Sequence, residues 1–273
     1  MTHLKESDHQ TSARQRASQL ARHIGLASGP GYDPAKASLA QRAQQRQHLR
    51  DMGYQANLEA IYQQCLQQAD SGVIGHELDP DWLHHFLQLA EKVHQPKMQG
   101  LWAKILANEL ANPGAFSIAS LTTLTRLTQK DAQTLRKALE LSMVVNGDGR
   151  LRLLTSWRWP ARLSSLFGQD NQVSVRLSQF GLPYSAILRL IELQLLYSSE
   201  LESGQYAKGS KLTLSNGAQR WIATTRQRHS SFSYFRFSPI AHELAQLMQI
   251  QGDSDWQGAF TQTLDNALVF KRS

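Results

Sequence analysis

The residues most able to do chemistry are cations. Between Glu202 and Glu243 the chain carries Lys208, Lys211, Arg220, Arg226, Arg228 and Arg236 and no carboxylate. Upstream, Arg150, Arg152 and Arg158 share a stretch with Trp157 and Trp159. Cations gathered on one surface attract phosphates, and an exposed ring beside them stacks on a base. These positions are therefore the candidate nucleic-acid contacts, with Tyr234 or Trp221 as an aromatic platform. A plainer reading stands beside this one. Successive side chains of a strand point to opposite sides, which scatters such cations over several faces. Trp157-Arg158-Trp159-Pro160-Ala161-Arg162 likewise reads as tryptophans in the core with arginines lying over them.

Other reactive types are less promising. Cys65 sits in an apolar helical stripe flanked by glutamines, with no local His or Lys to stabilise a thiolate, and reads as an inert buried thiol. His76, His84, His85 and His94 lie near Glu77, Asp79 and Asp81. No pair of them has the i, i+4 spacing of a helical zinc site, so no metal is expected. His242-Glu243 lacks the second histidine of a zinc-protease helix. The chain contains no phosphate-binding Gly-Lys loop, nucleophile elbow or dinucleotide fingerprint, and the expectation is a non-enzymatic protein without catalytic residues or cofactor.

The 273 residues suffice for about two domains and a sizeable core, and a single cysteine excludes an internal disulfide. The formal charge of +7 is uneven. Residues 1–50 carry eight basic and three acidic side chains, residues 51–140 seven and ten, and residues 141–273 fourteen and nine. An acidic middle between basic ends suits a scaffold flanked by polyanion-facing surfaces. No run approaches about 18 apolar residues and the N-terminus lacks an apolar signal segment, so a cytoplasmic protein without membrane insertion is expected.

These residues need elements to hold them. Residues 11–26 and 35–52 are rich in Ala, Gln and Arg, good helix formers with few large apolar side chains, separated by Ser28-Gly29-Pro30-Gly31. They read as a solvated arm or a partner-binding helix. Leu58, Ile61, Tyr62, Cys65, Leu66 and Ala69 repeat at helical steps. Asp79-Pro80-Asp81 opens a helix carrying Trp82, Phe86 and Ala90; Pro96 opens the next, with Trp102 and Ile105. Ile118 to Leu127 forms another, and Thr128 with Asp131 makes a capping pair. After Leu141 the pattern changes to hairpins, 143–145 with 150–154 and 211–215 with 218–224 around Asn216-Gly217. A helix follows Gly181-Leu182-Pro183, a strand spans 232–237, and a helix runs from Pro239 to Ile250.

Asp-Pro-Asp-Trp at Asp79 to Trp82, Leu-Trp-Ala-Lys-Ile-Leu-Ala at Leu101 to Ala107 and Pro-Gly-Ala-Phe-Ser at Pro113 to Ser117 resemble the motifs of an uncharacterised bacterial protein family. The Trp102 helix and the Leu127-to-Ala132 step are also similar to alpha-type abortive-infection proteins associated with phage resistance. The resemblance implies a helical domain and a phage-defence or stress-response setting, and brings no catalytic residues. Together these readings predict a mainly α protein, a helical bundle followed by a small α+β winged-helix-like region. The expected parts are an arm at 1–53, an all-helical core at 54–140 and the α+β region at 141–273. The expected function is nucleic-acid contact through the basic C-terminal region; the alternative is a protein-interaction scaffold using the arm.

Overall fold

The computed structural model describes residues 12–24, 26, 37–69, 72, 74–160 and 171–272. The Ser28-to-Gly31 break and the Ala161-Arg162 end of the tryptophan and arginine stretch lie outside the described residues. Two compact units emerge, one of residues 1–73 with 87–107, the other of residues 74–86 with 108–273.

In the first unit, α1 (Ala13–His23) precedes α2 (Leu39–Gln68), which Ser38 and Gln41 open with a reciprocal capping box. The two stretches read separately around residue 53 are one continuous helix. Its buried stripe is narrower than the periodicity implies. Asn57, Ile61 and Cys65 are buried, whereas Tyr62 and Leu66 are exposed. On the buried line Asn57 is a polar link: its amide donates to Glu91 O at 2.7 Å and accepts from Gln99 Nε2 at 3.1 Å. The N-terminal half of α2 exposes Leu39, Leu49 and Met52.

The second unit begins before α3 (Pro80–Ala90), where Asp79 Oδ1 accepts from Trp82 N at 2.8 Å, the cap that an Asp-Pro start supplies. After α4 (Pro96–Ala111), Ser117 caps α5 (Ile118–Arg126), and Thr128 with Asp131 forms the expected capping box on α6 (Gln129–Glu140). Asp131 also receives Arg189 Nε at 2.8 Å and Nη2 at 3.1 Å from α7 (Tyr184–Glu192). The Arg189 guanidinium, helped by Thr128, holds this carboxyl well below the usual range. A depressed folded-state pKa contributes stability above the ordinary value of 3.8 and loses it as the pH falls below that. Asp131→Asn is therefore expected to flatten the fall of the urea midpoint below about pH 4. At pH 7 it should cost about 1 kcal/mol, since Arg189 is half-exposed and screened.

The C-terminal part overturns the expected fold class. Instead of a bundle with a small wing, the protein is a mixed α+β fold built on an eight-stranded antiparallel sheet. The strands are β1 (Met143–Val145), β2 (Leu151–Trp159), β3 (Asn171–Ser174), β4 (Leu201–Glu202), β5 (Lys211–Asn216), β6 (Gln219–Thr225), β7 (Ser231–Arg236) and β8 (Leu268–Arg272). Their order is β4-β7-β2-β1-β5-β6-β8, with β3 also on β2. Both expected hairpins exist, but Val144↔Ser215 and Val145↔Leu214 pairing joins them into one sheet. A winged helix has no place for that seam.

The β5–β6 turn also sits one residue later than Asn-Gly suggests. Asn216 pairs with Gln219, leaving Gly217 and Ala218 at the tip, with Gly217 at φ 57°. Asn216 is diverted inward: its Nδ2 donates to Glu140 O at 2.8 Å and Ser142 O at 2.7 Å. Two helices are closed by local backbone geometry. α7 stops at Glu192 because Gln194 turns left-handed at φ 60° while Leu195 and Leu196 donate back to Leu190 O. α8 (Pro239–Ala245) closes with three-residue bonds at Gln246, Leu247 and Met248 instead of reaching Ile250. Last comes α9 (Ser254–Thr263), capped by Asp253, whose carboxylate also pairs with Lys137 at 3.0 Å.

Candidate nucleic-acid interface

Paired residues of an antiparallel ladder share a face, so register decides which cations meet. Across β5, β6 and β8 the rows are Lys211↔Thr224↔Val269, Thr213↔Ile222↔Lys271 and Ser215↔Arg220. Of these, Lys211, Thr213, Arg220, Ile222, Val269 and Lys271 are exposed. The alternate residues Leu212, Leu214, Trp221, Ala223 and Leu268 are buried. The period of two thus sorts the ridge into an apolar underside and an open face carrying Lys211, Arg220 and Lys271. None of these three strands contains a carboxylate.

Three loops meet at one end of this face. Gly209 N donates to Thr225 O at 2.9 Å, Thr225 Oγ1 to Ala207 O at 2.6 Å, Arg226 N to Ala267 O at 3.0 Å and Gln227 Nε2 to Asn266 O at 3.0 Å. These bonds bring Lys208 and Arg226 beside Lys211, with Arg228 in the same connection. All four are exposed. Asp265 approaches Arg226 at 4.0 Å, but with both side chains largely in solvent this pair neutralises little.

Four of the expected contact residues lie elsewhere. Arg152 pairs with Met143 and Arg236; Met143 and Val145 share a face, and Val145 pairs with the inward Leu214. Arg152 and Arg236 therefore belong to the opposite face from Lys211 and Arg220. Arg152 is tied to Asp148 and lies 5.4 Å from the Tyr234 ring centroid, while Arg236 lies 4.9 Å from that of Tyr197. The Arg152 guanidinium holds the Asp148 carboxyl below its usual range. Arg150 is in the exposed turn before β2, and Arg158 is half-buried in that strand with Nε enclosed and without a hydrogen-bond partner among the described residues. The expected aromatic platform also moves. Trp221 is 6% exposed on the apolar underside, so no base can reach it. Lys271 escaped sequence reading because its strand is short, terminal and paired with a segment some fifty positions upstream.

Cys65 is 2% exposed, and burial pushes its thiol up, away from the nucleophilic form. His85 Nδ1 lies 2.9 Å from Asp81 O within one helical turn. Among the described residues no group of three or more His, Cys, Asp or Glu could hold a metal ion, and no helix is long and apolar enough to cross a membrane.

Fold and surface together define a mixed α+β protein with a basic, carboxylate-free sheet face. Residues 41–261 match the family described as "Protein of unknown function (DUF2806)", and the chain belongs to that family. No curated protein and no solved structure matches it.

Proposed function

We propose that the protein acts by binding, not catalysis, and that its ligand is single-stranded nucleic acid lying on the β5–β6–β8 face. The observation that supports this reading is that Lys211, Arg220 and Lys271 share one exposed strand face, with Lys208, Arg226 and Arg228 exposed in the loops at its end and Asp265 4.0 Å from Arg226. An open strand face suits a flexible backbone better than a duplex groove, which a helix or ribbon must enter. Ile222 and Val269 add apolar contact between the cations, and the lack of an exposed ring among them favours sequence-tolerant binding.

Such binding is governed by counterion release. Engaging about four phosphates of a single strand weakens affinity roughly 50-fold between 50 and 200 mM salt. Fluorescence anisotropy with labelled single-stranded RNA and DNA at both salt concentrations tests this. Arg226→Ala with Arg228→Ala is expected to weaken binding about tenfold and to lower the salt slope by about 1.4. No binding at 50 mM salt, or an unchanged slope in the double variant, would refute the assignment.

A further inference from the structure

On the far side of the sheet a cleft of about 360 Å³ is lined by Arg150, Arg236, His242, Glu243 and Gln246. Its two guanidinium groups are in no ion pair with a described carboxylate. Arg236 is steadied by the Tyr197 ring at 4.9 Å, and His242 packs against Phe237 with ring centroids 6.5 Å apart. Glu243 lines the same space yet is committed on one side only: Oε2 accepts from Ser117 N at 2.7 Å, Ser117 Oγ at 2.9 Å and Ser120 Oγ at 2.5 Å. These bonds fix the carboxylate to the start of α5. Its other oxygen, Oε1, has no hydrogen bond to a described residue.

The cleft thus offers two forked donors, an imidazole and an amide for an anion, and beside them a fixed acceptor for a hydroxyl. A bare phosphate would use the first part and be repelled by the second. A ligand with an anion at one end and hydroxyls at the other satisfies both, and the volume falls within the range of small-molecule pockets. We propose that this cleft is a binding site for a phosphorylated polyol of sugar-phosphate size, its phosphate on Arg150 and Arg236 and a hydroxyl donating to Glu243. The site is separate from the basic strand face and does not depend on what that face binds. Burial and the neighbouring Arg236 charge lower the His242 pKa, which leaves a neutral ring able to donate or accept.

Calorimetric titration of the full chain with ribose 5-phosphate, inorganic phosphate and ribose tests the assignment. Ribose 5-phosphate should bind at least tenfold more tightly than inorganic phosphate, and ribose should give no heat. Arg150→Ala with Arg236→Ala should weaken ribose 5-phosphate at least tenfold, with Arg236→Lys alone retaining part of the affinity. Both arginines are exposed, so an unchanged circular-dichroism melt in the double variant shows that the fold is kept. Equal affinity for ribose 5-phosphate and inorganic phosphate, or full affinity in the folded double variant, would overturn the proposal. So would the absence of ribose 5-phosphate binding at millimolar concentration.

Discussion

Replacing Trp82 by alanine is expected to cost about 3–5 kcal/mol, enough to threaten the fold of a typical domain. The side chain is 5% exposed and stacks on Phe86 with centroids 5.2 Å apart and planes 19° from parallel. Its Nε1 donates to Phe116 O at 2.6 Å. The same loop is held from the other side by buried Glu109, whose carboxylate accepts from Gly114 N at 2.5 Å and Phe116 N at 2.9 Å. The Asp-Pro-Asp-Trp and Pro-Gly-Ala-Phe-Ser segments are therefore two halves of one structural joint. Trp82→Phe keeps most of the packing but strands the Phe116 carbonyl, and should cost about 1–3 kcal/mol. Combined with Glu109→Gln it should be non-additive, since both act on one loop. Urea unfolding of the single and double variants measures these values; a Trp82→Ala loss below about 1 kcal/mol would show that the joint does not bear on stability.

A loss of similar size, about 3–5 kcal/mol, is expected for Trp157→Ala. Trp157 is fully buried, 4.4 Å from the Phe232 centroid in an edge-on contact and 6.0 Å from the near-parallel Tyr206 ring. The geometry chooses the core reading of the Trp157-Arg158-Trp159 stretch for this residue, because a fully enclosed ring cannot stack on a base. Its Nε1 has no partner among the described residues, so Trp157→Phe removes a donor left unsatisfied there along with some volume and should cost no more than about 1.5 kcal/mol. Oligonucleotide affinity of that variant should equal that of the parent chain. A Trp157→Phe protein that folds normally yet loses nucleic-acid affinity would place the ring in the interface after all.

The legible parts of the fold were those with local causes. Asp79 and Thr128 stand where a helix must satisfy its first backbone donors, and the structure uses each as a cap. The glycine-rich connections after Val145 and Asn216 mark turns, and hairpins form at both. What escaped was short or long-range. β3, β4 and β8 have four, two and five residues, too few for a periodic signal. α9 was missed although Asp253 and Trp256 offered a cap and an apolar anchor. The winged-helix expectation failed because β1–β5, β2–β7 and β6–β8 pairing joins residues far apart in the chain.

By itself the amino-acid order determined where helices and hairpins begin, that Cys65 belongs to an apolar stripe, and that cations outnumber carboxylates toward the C-terminus. Those properties depend on neighbours within a few positions. Only the tertiary structure decided that Lys211, Arg220 and Lys271 share an open face, and that Arg150 and Arg236 line a cleft apart from it. The reason is geometric: a strand sends alternate side chains to opposite sides, and which strands become neighbours depends on pairing between distant segments.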